Sequence, residues 1–263
     1  MKLNNILVVY THPAAGESKK TLNHVKKILK KYKIHFNLAD RDKLKREQFT
    51  GRNLIIPVGG DGTFLRAAQF VKSEPVFGVN ADVKNKEGFF MKVGKDDFEG
   101  KLRKILENKI KIGRLPRLEA YINSKKIDAP ALNEFYIGPK KAYHAAKYII
   151  EFDGARERHK SSGILVTTPA GSNAWASSCF DRRLPPNSKN FQFVVREPYE
   201  GKVFKNYRLK QGILKSSQKI RVHSEMLDGV IVADSVGKEF AFRNGSKAVF
   251  RMSDNDLNLV LVK

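Results

Sequence analysis

The feature that most restricts the fold of this chain is Leu54-Ile55-Ile56-Pro57-Val58 followed at once by Gly59-Gly60-Asp61-Gly62. An apolar run without alternation suits a parallel strand covered on both faces. Three glycines in four positions let the main chain turn sharply and bring its N–H groups close to an anion. From Thr63 to Val71, Phe64, Leu65, Ala68 and Val71 share one helical face. A helix is therefore predicted there, and its N-terminus adds partial positive charge to the loop. An aspartate beside a bound phosphate repels it unless a metal ion or an acceptor hydroxyl stands between them, an arrangement suited to phosphoryl transfer. The plainer alternative is a tight turn in which Asp61 caps the helix. Neither Gly-x-x-x-x-Gly-Lys-[Ser/Thr] nor Gly-x-Gly-x-x-Gly is present, so the two commonest phosphate loops are excluded.

Around this loop the pattern is that of an α/β parallel sheet. Strands are expected at Ile6–Tyr10, Ile34–Leu38, Leu54–Val58 and Pro75–Asn80. One helix carries Leu22, Val25, Ile28 and Leu29, with Ser18 as its expected cap, and another spans Phe98–Leu106. After Gly113 the texture changes to short apolar or alternating segments separated by Asp153-Gly154, Asp228-Gly229 and Asn244-Gly245, as in antiparallel β structure. A helix from Ser172 to about Cys179 interrupts it. The fold class is thus an α/β N-terminal domain with a parallel sheet, residues 1–112, plus a C-terminal β-rich, sandwich-like domain, residues 113–250. A ligand site is expected where the two meet.

Charge and cysteine content narrow the setting. The formal net charge is +23. It is spread over both halves, with 23 Lys and Arg against 12 Asp and Glu up to residue 110 and 27 against 15 beyond. Such a field attracts nucleotides, polyphosphate, nucleic acid or acidic lipid without choosing among them. The single cysteine, Cys179, allows no internal disulfide and suits a reducing cytoplasm. The apolar run Ile6–Tyr10 is too short for a signal-peptide core or a membrane span.

Several segments in order resemble the NAD kinase family, which shares its loop with diacylglycerol and sphingosine kinases. Gly59-Gly60-Asp61-Gly62-Thr63 is similar to the family's catalytic loop. Gly78-Val79-Asn80, then Gly88-Phe89-Phe90, are similar to its next strand and turn. Ala131-Leu132-Asn133-Glu134 resembles its Asn-Glu motif, and Gly163 to Trp175 its Thr-Pro-Thr-Gly-Ser-Thr-Ala-Tyr segment; looser similarity surrounds Arg117–Ile122 and Asp234. The resemblance implies transfer of the ATP γ-phosphate to the adenosine-ribose 2′-hydroxyl of NAD with a divalent metal ion, most simply Mg2+; polyphosphate is the alternative donor. It implies that Asp61 takes the hydroxyl proton and that Gly59, Gly60, Gly62 and Thr63 form the phosphate loop, with Asp61 and Gly62 also against the acceptor. It implies NAD binding by Asn133, Glu134, Asn173, Ala174, Trp175 and Ser178, a return of residues 251–263 to the first domain, and dimers or tetramers.

The chain departs from the family pattern at Ser162, Ala170, Asn173, Trp175, Ser235 and Val236. Other features carry bland readings. Asn133 and Glu134 also suit a polar strand end, and Trp175 also suits a core position. Arg156, Arg158, His159 and Lys160 read as a solvated basic turn, with Arg158 and Lys160 as candidate phosphate contacts. The histidines show no metal-ligand spacing and read as surface or locally bonded side chains. Two competing functions stand beside NAD kinase. One is a related small-molecule or lipid kinase with a different acceptor; no membrane-binding amphipathic helix supports the lipid form. The other is a non-catalytic nucleic-acid-binding protein on a kinase-like scaffold, for which recognisable motifs are missing.

Overall fold

In the computed structural model, which describes residues 3–12, 14–180 and 182–262, the apolar runs at the start of the chain pair in parallel. The elements are β1 (Ile6–Tyr10), α1 (Gly16–Lys31), β2 (Phe36–Asp40), β3 (Leu54–Gly59), α2 (Asp61–Ala68), β4 (Val79–Asn80), α3 (Phe98–Leu106) and β5 (Lys111–Leu115). The four parallel strands lie in the order β2-β1-β3-β4. Every residue of β3 is buried, as its unbroken apolar run requires. α1 buries Leu22, Val25, Ile28 and Leu29, and α3 buries Phe98, Leu102 and Ile105.

Several boundaries differ from expectation, among them that of β2, which runs Phe36–Asp40 rather than Ile34–Leu38. α1 begins at Gly16 without a side-chain cap, and Ser18 instead receives a hydrogen bond from Lys86 Nζ at 3.0 Å. α2 starts at Asp61 rather than Thr63 and ends at Ala68; Val71 is still buried, one turn further on. Of Pro75–Asn80 only the last two residues form a strand, because Val76 makes isolated bridges to Ile55 and Leu259 instead.

The second unit holds β6 (Leu118–Ile122), β7 (Lys125–Lys126), β8 (Glu134–Pro139), β9 (Ala146–Phe152), β10 (Ala155–Ser161), β11 (Gly163–Thr167), β12 (Phe191–Arg196), β13 (Gln211–Leu214), β14 (Ile220–Ser224), β15 (Gly229–Ala233), β16 (Glu239–Ala241) and β17 (Lys247–Met252). They form two six-stranded sheets, β10-β9-β14-β17-β6-β7 and β13-β12-β11-β8-β15-β16. Alternate residues of both sheets fill one core: Tyr148, Ile150, Val222 and Phe250 from the first, Phe135, Ile137, Phe191 and Phe193 from the second. Period-two burial of this kind is what the alternating segments encode. At Asp153-Gly154 both residues have positive φ, 52° and 77°, the geometry of the two-residue turn that joins β9 to β10.

The last strand, β18 (Leu257–Leu261), pairs with β5. β18 also exchanges main-chain bonds with Val76: Val76 N donates to Asn258 O and Val260 N to Val76 O, both at 2.8 Å. The first unit accordingly runs to Arg114 and resumes at Leu257, and the second is Leu115–Asp256. Arg251 and Met252 lie in β17.

Two features of the second unit correct the sequence reading. The basic segment Arg156–Lys160 is no turn but part of edge strand β10, with His159 on the buried side and Arg158 exposed. The segment Ser172–Cys179 forms two short 3-10 turns, Gly171–Asn173 and Trp175–Ser178, rather than one helix. Ser172, Ser177 and Ser178 each donate a hydroxyl bond to the carbonyl three residues earlier, and such local bonds compete with a continuous helix.

Candidate functional site

The loop in the first unit is built by close approach. Gly59 ends β3, and a Cβ there would stand 2.4 Å from Thr63 Oγ1, so only glycine fits. Gly60 is extended, and its carbonyl accepts Thr63 N at 2.9 Å and Phe64 N at 3.3 Å. These bonds start α2 and leave the N–H groups of Asp61 and Gly62, which have no intrahelical acceptor, for a ligand.

Asp61 is half-buried and caps nothing: the N-cap of α2 is Gly60 and carries no side-chain bond. Its two carboxylate oxygens accept the main-chain N–H groups of Phe89 at 2.8 Å and Phe90 at 2.9 Å. The turn that offers them depends on Gly88, at φ +65°, where a Cβ would lie 2.5 Å from Asn80 Nδ2. Asn80 in turn donates to Lys86 O at 3.2 Å. The segments Gly59–Thr63, Gly78–Asn80 and Gly88–Phe90 thus meet around one carboxylate. Thr63 is buried, with Oγ1 3.4 Å from Thr11 Oγ1 and 3.1 Å from Arg41 Nη1, which donates to it.

The second unit contains a buried acidic cluster. Asp234 accepts Leu132 N at 2.9 and 3.0 Å and Asn133 N at 2.6 Å, and its own N–H donates to Glu134 O at 2.8 Å. Asp234 and Ser235 both hold positive φ, 55° and 53°, which aims the carboxylate back at the start of β8. Burial pushes Asp234 up to about 7, against the opposing pull of the amides of Leu132, Asn133 and Glu134 and of the Arg117 charge. Burial, and after it the charge of Asp234, pushes Glu134 up to about 8. Asn133 Oδ1 and Glu134 Oε2 are buried without a hydrogen-bond partner among the described residues. Such atoms are costly unless a ligand or water satisfies them.

The Thr-Pro segment packs directly on this cluster. Thr168 N and Thr167 Oγ1 donate to Asn133 O at 2.8 and 3.1 Å, and Thr168 Oγ1 donates to Leu132 O at 2.6 Å. A Cβ on Gly171 would fall 2.1 Å from Asn133 O, so the contact exists only because that residue is glycine. Asn173 Nδ2 donates to Pro169 O at 3.3 Å. Ala174 separates the two 3-10 turns. Trp175 is half-buried, stacked on Tyr136 with ring centres 5.5 Å apart, and the Arg196 guanidinium lies 4.4 Å from its centroid. Ser178 is exposed, bonded to Trp175 O.

Arg158 and Lys160 are already engaged. Arg158 Nε donates to Glu225 at 2.7 Å beside the Phe204 ring, and Lys160 Nζ lies 4.1 Å from the Tyr199 centroid. His159 is fully buried between the rings of Tyr148 and Tyr207, at 5.7 and 4.5 Å, with Nε2 2.7 Å from Glu157; burial lowers its pKa against the Glu157 charge. Among the described residues no group of three or more His, Cys, Asp or Glu side chains could hold a metal ion. Thr11 and Arg41 belong to no motif in the sequence. Both follow parallel strands at their carboxyl ends, the edge where α/β sheets bind ligands, and that position was the available signal.

A parallel sheet with a glycine-rich anion loop, together with a double-sheet unit holding a buried Asn-Glu-Asp cluster, defines a nucleotide-handling α/β-plus-β protein. Known proteins with the same arrangement are NAD kinases and an NADH kinase. The ATP-NAD kinase N-terminal domain matches residues 3–110. An NAD kinase of Archaeoglobus fulgidus is 29% identical over 220 residues, covering 82% of this chain and 81% of the relative. The crystal structure of an NAD kinase from that organism in complex with ATP matches at TM-score 0.77 and 25% identity, over 98% of this chain and 93% of that one. Yeast NADH kinase complexed with NADH shares the fold, at TM-score 0.83 and 15% identity over 99% of this chain and 84% of that one. Over most of its length the chain is thus similar to NAD kinases.

Proposed function

We propose that the protein is an ATP-dependent NAD kinase, transferring the γ-phosphate to the adenosine-ribose 2′-hydroxyl of NAD to make NADP. The observation that carries this reading is Asp61: a carboxylate inside a glycine loop, held by two main-chain amides at 2.8 and 2.9 Å. The two bonds fix its orientation and leave a lone pair on each oxygen to take the acceptor's proton. The glycine loop and the N-terminus of α2 hold the donor phosphates. In the second unit, the unpartnered Asn133 Oδ1 and Glu134 Oε2 suit the directed hydrogen bonds of a nucleoside. Asn173, Ala174, Trp175 and Ser178 complete the acceptor pocket in this reading.

The donor set fits a divalent ion only as one carried on the phosphates, with Asp61 as the loop's single carboxylate; Mg2+ is commonly held this way. Such an ion supplies charge neutralisation at the phosphates. No helix among the described residues is long and apolar enough to cross a membrane, and one cysteine suits a reducing cytoplasm. A homo-oligomer belongs to the same reading.

The test is direct. Purified chain with Mg-ATP and NAD forms NADP, and Asp61→Asn removes the activity while leaving the circular dichroism spectrum unchanged. Folded protein that binds ATP yet forms no NADP overturns the acceptor assignment.

A further inference from the structure

Two cations flank the glycine loop, and each sits against one of its glycines. Arg41 follows β2; its Nη1 donates to Thr63 Oγ1 at 3.1 Å and lies 4.0 Å from where a Cβ on Gly62 would be. Lys86 lies between β4 and the Gly88 turn; its Cδ is 3.1 Å from the Cβ position of Gly60. Both side chains are half-buried. Arg41 Nε is buried without a hydrogen-bond partner among the described residues, with the Asp42 carboxylate at 3.8 Å. Lys86 Nζ has the neutral Ser18 hydroxyl at 3.0 Å. The guanidinium has no bonded acceptor at Nε among the described residues, and the ammonium is hydrogen-bonded to a neutral hydroxyl with the Asp82 charge nearby, so each can take a further anionic acceptor.

We infer that Arg41 and Lys86 form an oligophosphate clamp that brackets the glycine loop and neutralises the leaving phosphate during transfer. The inference rests on the kinase reading above. In the reaction, the bond from the acceptor oxygen to the terminal phosphorus forms as the bond from that phosphorus to its bridging oxygen breaks. The acceptor proton passes to Asp61, and the electron pair of the broken bond stays on the bridging oxygen of the departing phosphate. Charge rises at that oxygen as the bond lengthens, so a fixed cation there acts more strongly on the transition state than on the bound donor. The guanidinium contributes a planar, two-point contact and the ammonium a mobile point charge. The shared chemistry is the terminal phosphoanhydride, whether borne by ATP or by inorganic polyphosphate.

The test uses full-length protein with Arg41→Met, Arg41→Lys and Lys86→Met, assayed with NAD and either Mg-ATP or magnesium tripolyphosphate. ATP affinity is read separately by thermal shift. The expected result is a loss of at least about tenfold in kcat/KM for the donor in each Met variant, with KM for NAD within about twofold of the wild type. Arg41→Lys should retain more activity than Arg41→Met. Loss with ATP alone assigns the pair to a nucleotide donor; loss with both donors assigns it to the oligophosphate itself. Lys86→Met keeps the test valid if Arg41→Met fails to fold, because among the described residues the Lys86 side chain makes one hydrogen bond, to Ser18 of α1. Unchanged donor kinetics in an active enzyme, or equal losses for donor and NAD, overturn the inference. Wild-type protein that makes no NADP but whose ATP binding falls in the Met variants would instead overturn the kinase reading and leave the clamp standing.

Discussion

The first unit holds Asp61 at the rim of a loop, whereas the second buries Asp234 and Glu134. Asp61 is half-buried and held by the amides of Phe89 and Phe90, offered by a turn that follows the next strand. Asp234 and Glu134 are buried side by side, and Asp234 takes its bonds from Leu132 and Asn133, about a hundred residues back in the chain. The contrast separates two uses of an acid. A carboxylate at a loop rim, with fixed orientation and a free lone pair, is placed to exchange a proton with a ligand. A carboxyl group deep in a sheet junction, shifted upward by burial, is placed to shape the backbone and offer a neutral hydrogen-bonding surface.

The largest expected effect tests the first half of this contrast. Asp61→Asn keeps the size and one of the two amide bonds, sets its NH2 against the other N–H, and removes the proton acceptor, so kcat for NADP formation should fall by about 10²–10⁴. A smaller loss, within about tenfold, would place Asp61 with the structural acids. Next comes Gly171→Ala in the second unit. Its Cβ would enter the space of Asn133 O at 2.1 Å, and overpacking of this kind costs about 1–3 kcal/mol. Urea unfolding should report the cost, together with a raised KM for NAD; an unchanged midpoint would show that the Thr-Pro loop yields freely.

A subtler effect concerns pH. Asp234 and Glu134 are raised from ordinary values of 3.8 and 4.5 to about 7 and about 8. The folded state therefore binds more protons than the unfolded one between those limits, and the cluster's contribution to stability falls as pH rises through that window. Glu134→Gln, similar in shape and uncharged, should flatten the fall. Melting temperatures taken across the window for both proteins check this, and an equal slope would mean that Glu134 does not titrate there. The smallest effect is expected at the surface. Arg158→Ala removes an exposed pair with Glu225, which is worth about 0–1 kcal/mol. It should leave donor kinetics unchanged, whereas a marked rise in the donor KM would return Arg158 to the phosphate site.

The register of the comparison also shows where local signals end. The order strand, glycine loop, helix was written in Leu54–Val71, because an apolar run, three glycines and a 3.6-residue period each act within a few residues. The same holds for Ile6–Tyr10 and Phe98–Leu106, which form as the spacing predicts. No apolar run marks strand β10, because Ala155–Ser161 is rich in charge and its edge position lets those side chains face water. The helix expected after Ser172 gave way to serine hydroxyl bonds within each short turn.

What the chain determines by itself, then, is the loop and its acid, since the chemistry of Gly59–Gly62 lies in consecutive residues. What only the folded molecule decides is which partners arrive there. Arg41 meets Thr63 across 22 residues, and Asp234 meets Leu132 across 102. Those meetings depend on which strands lie side by side and in what register, and no window of sequence carries that pairing.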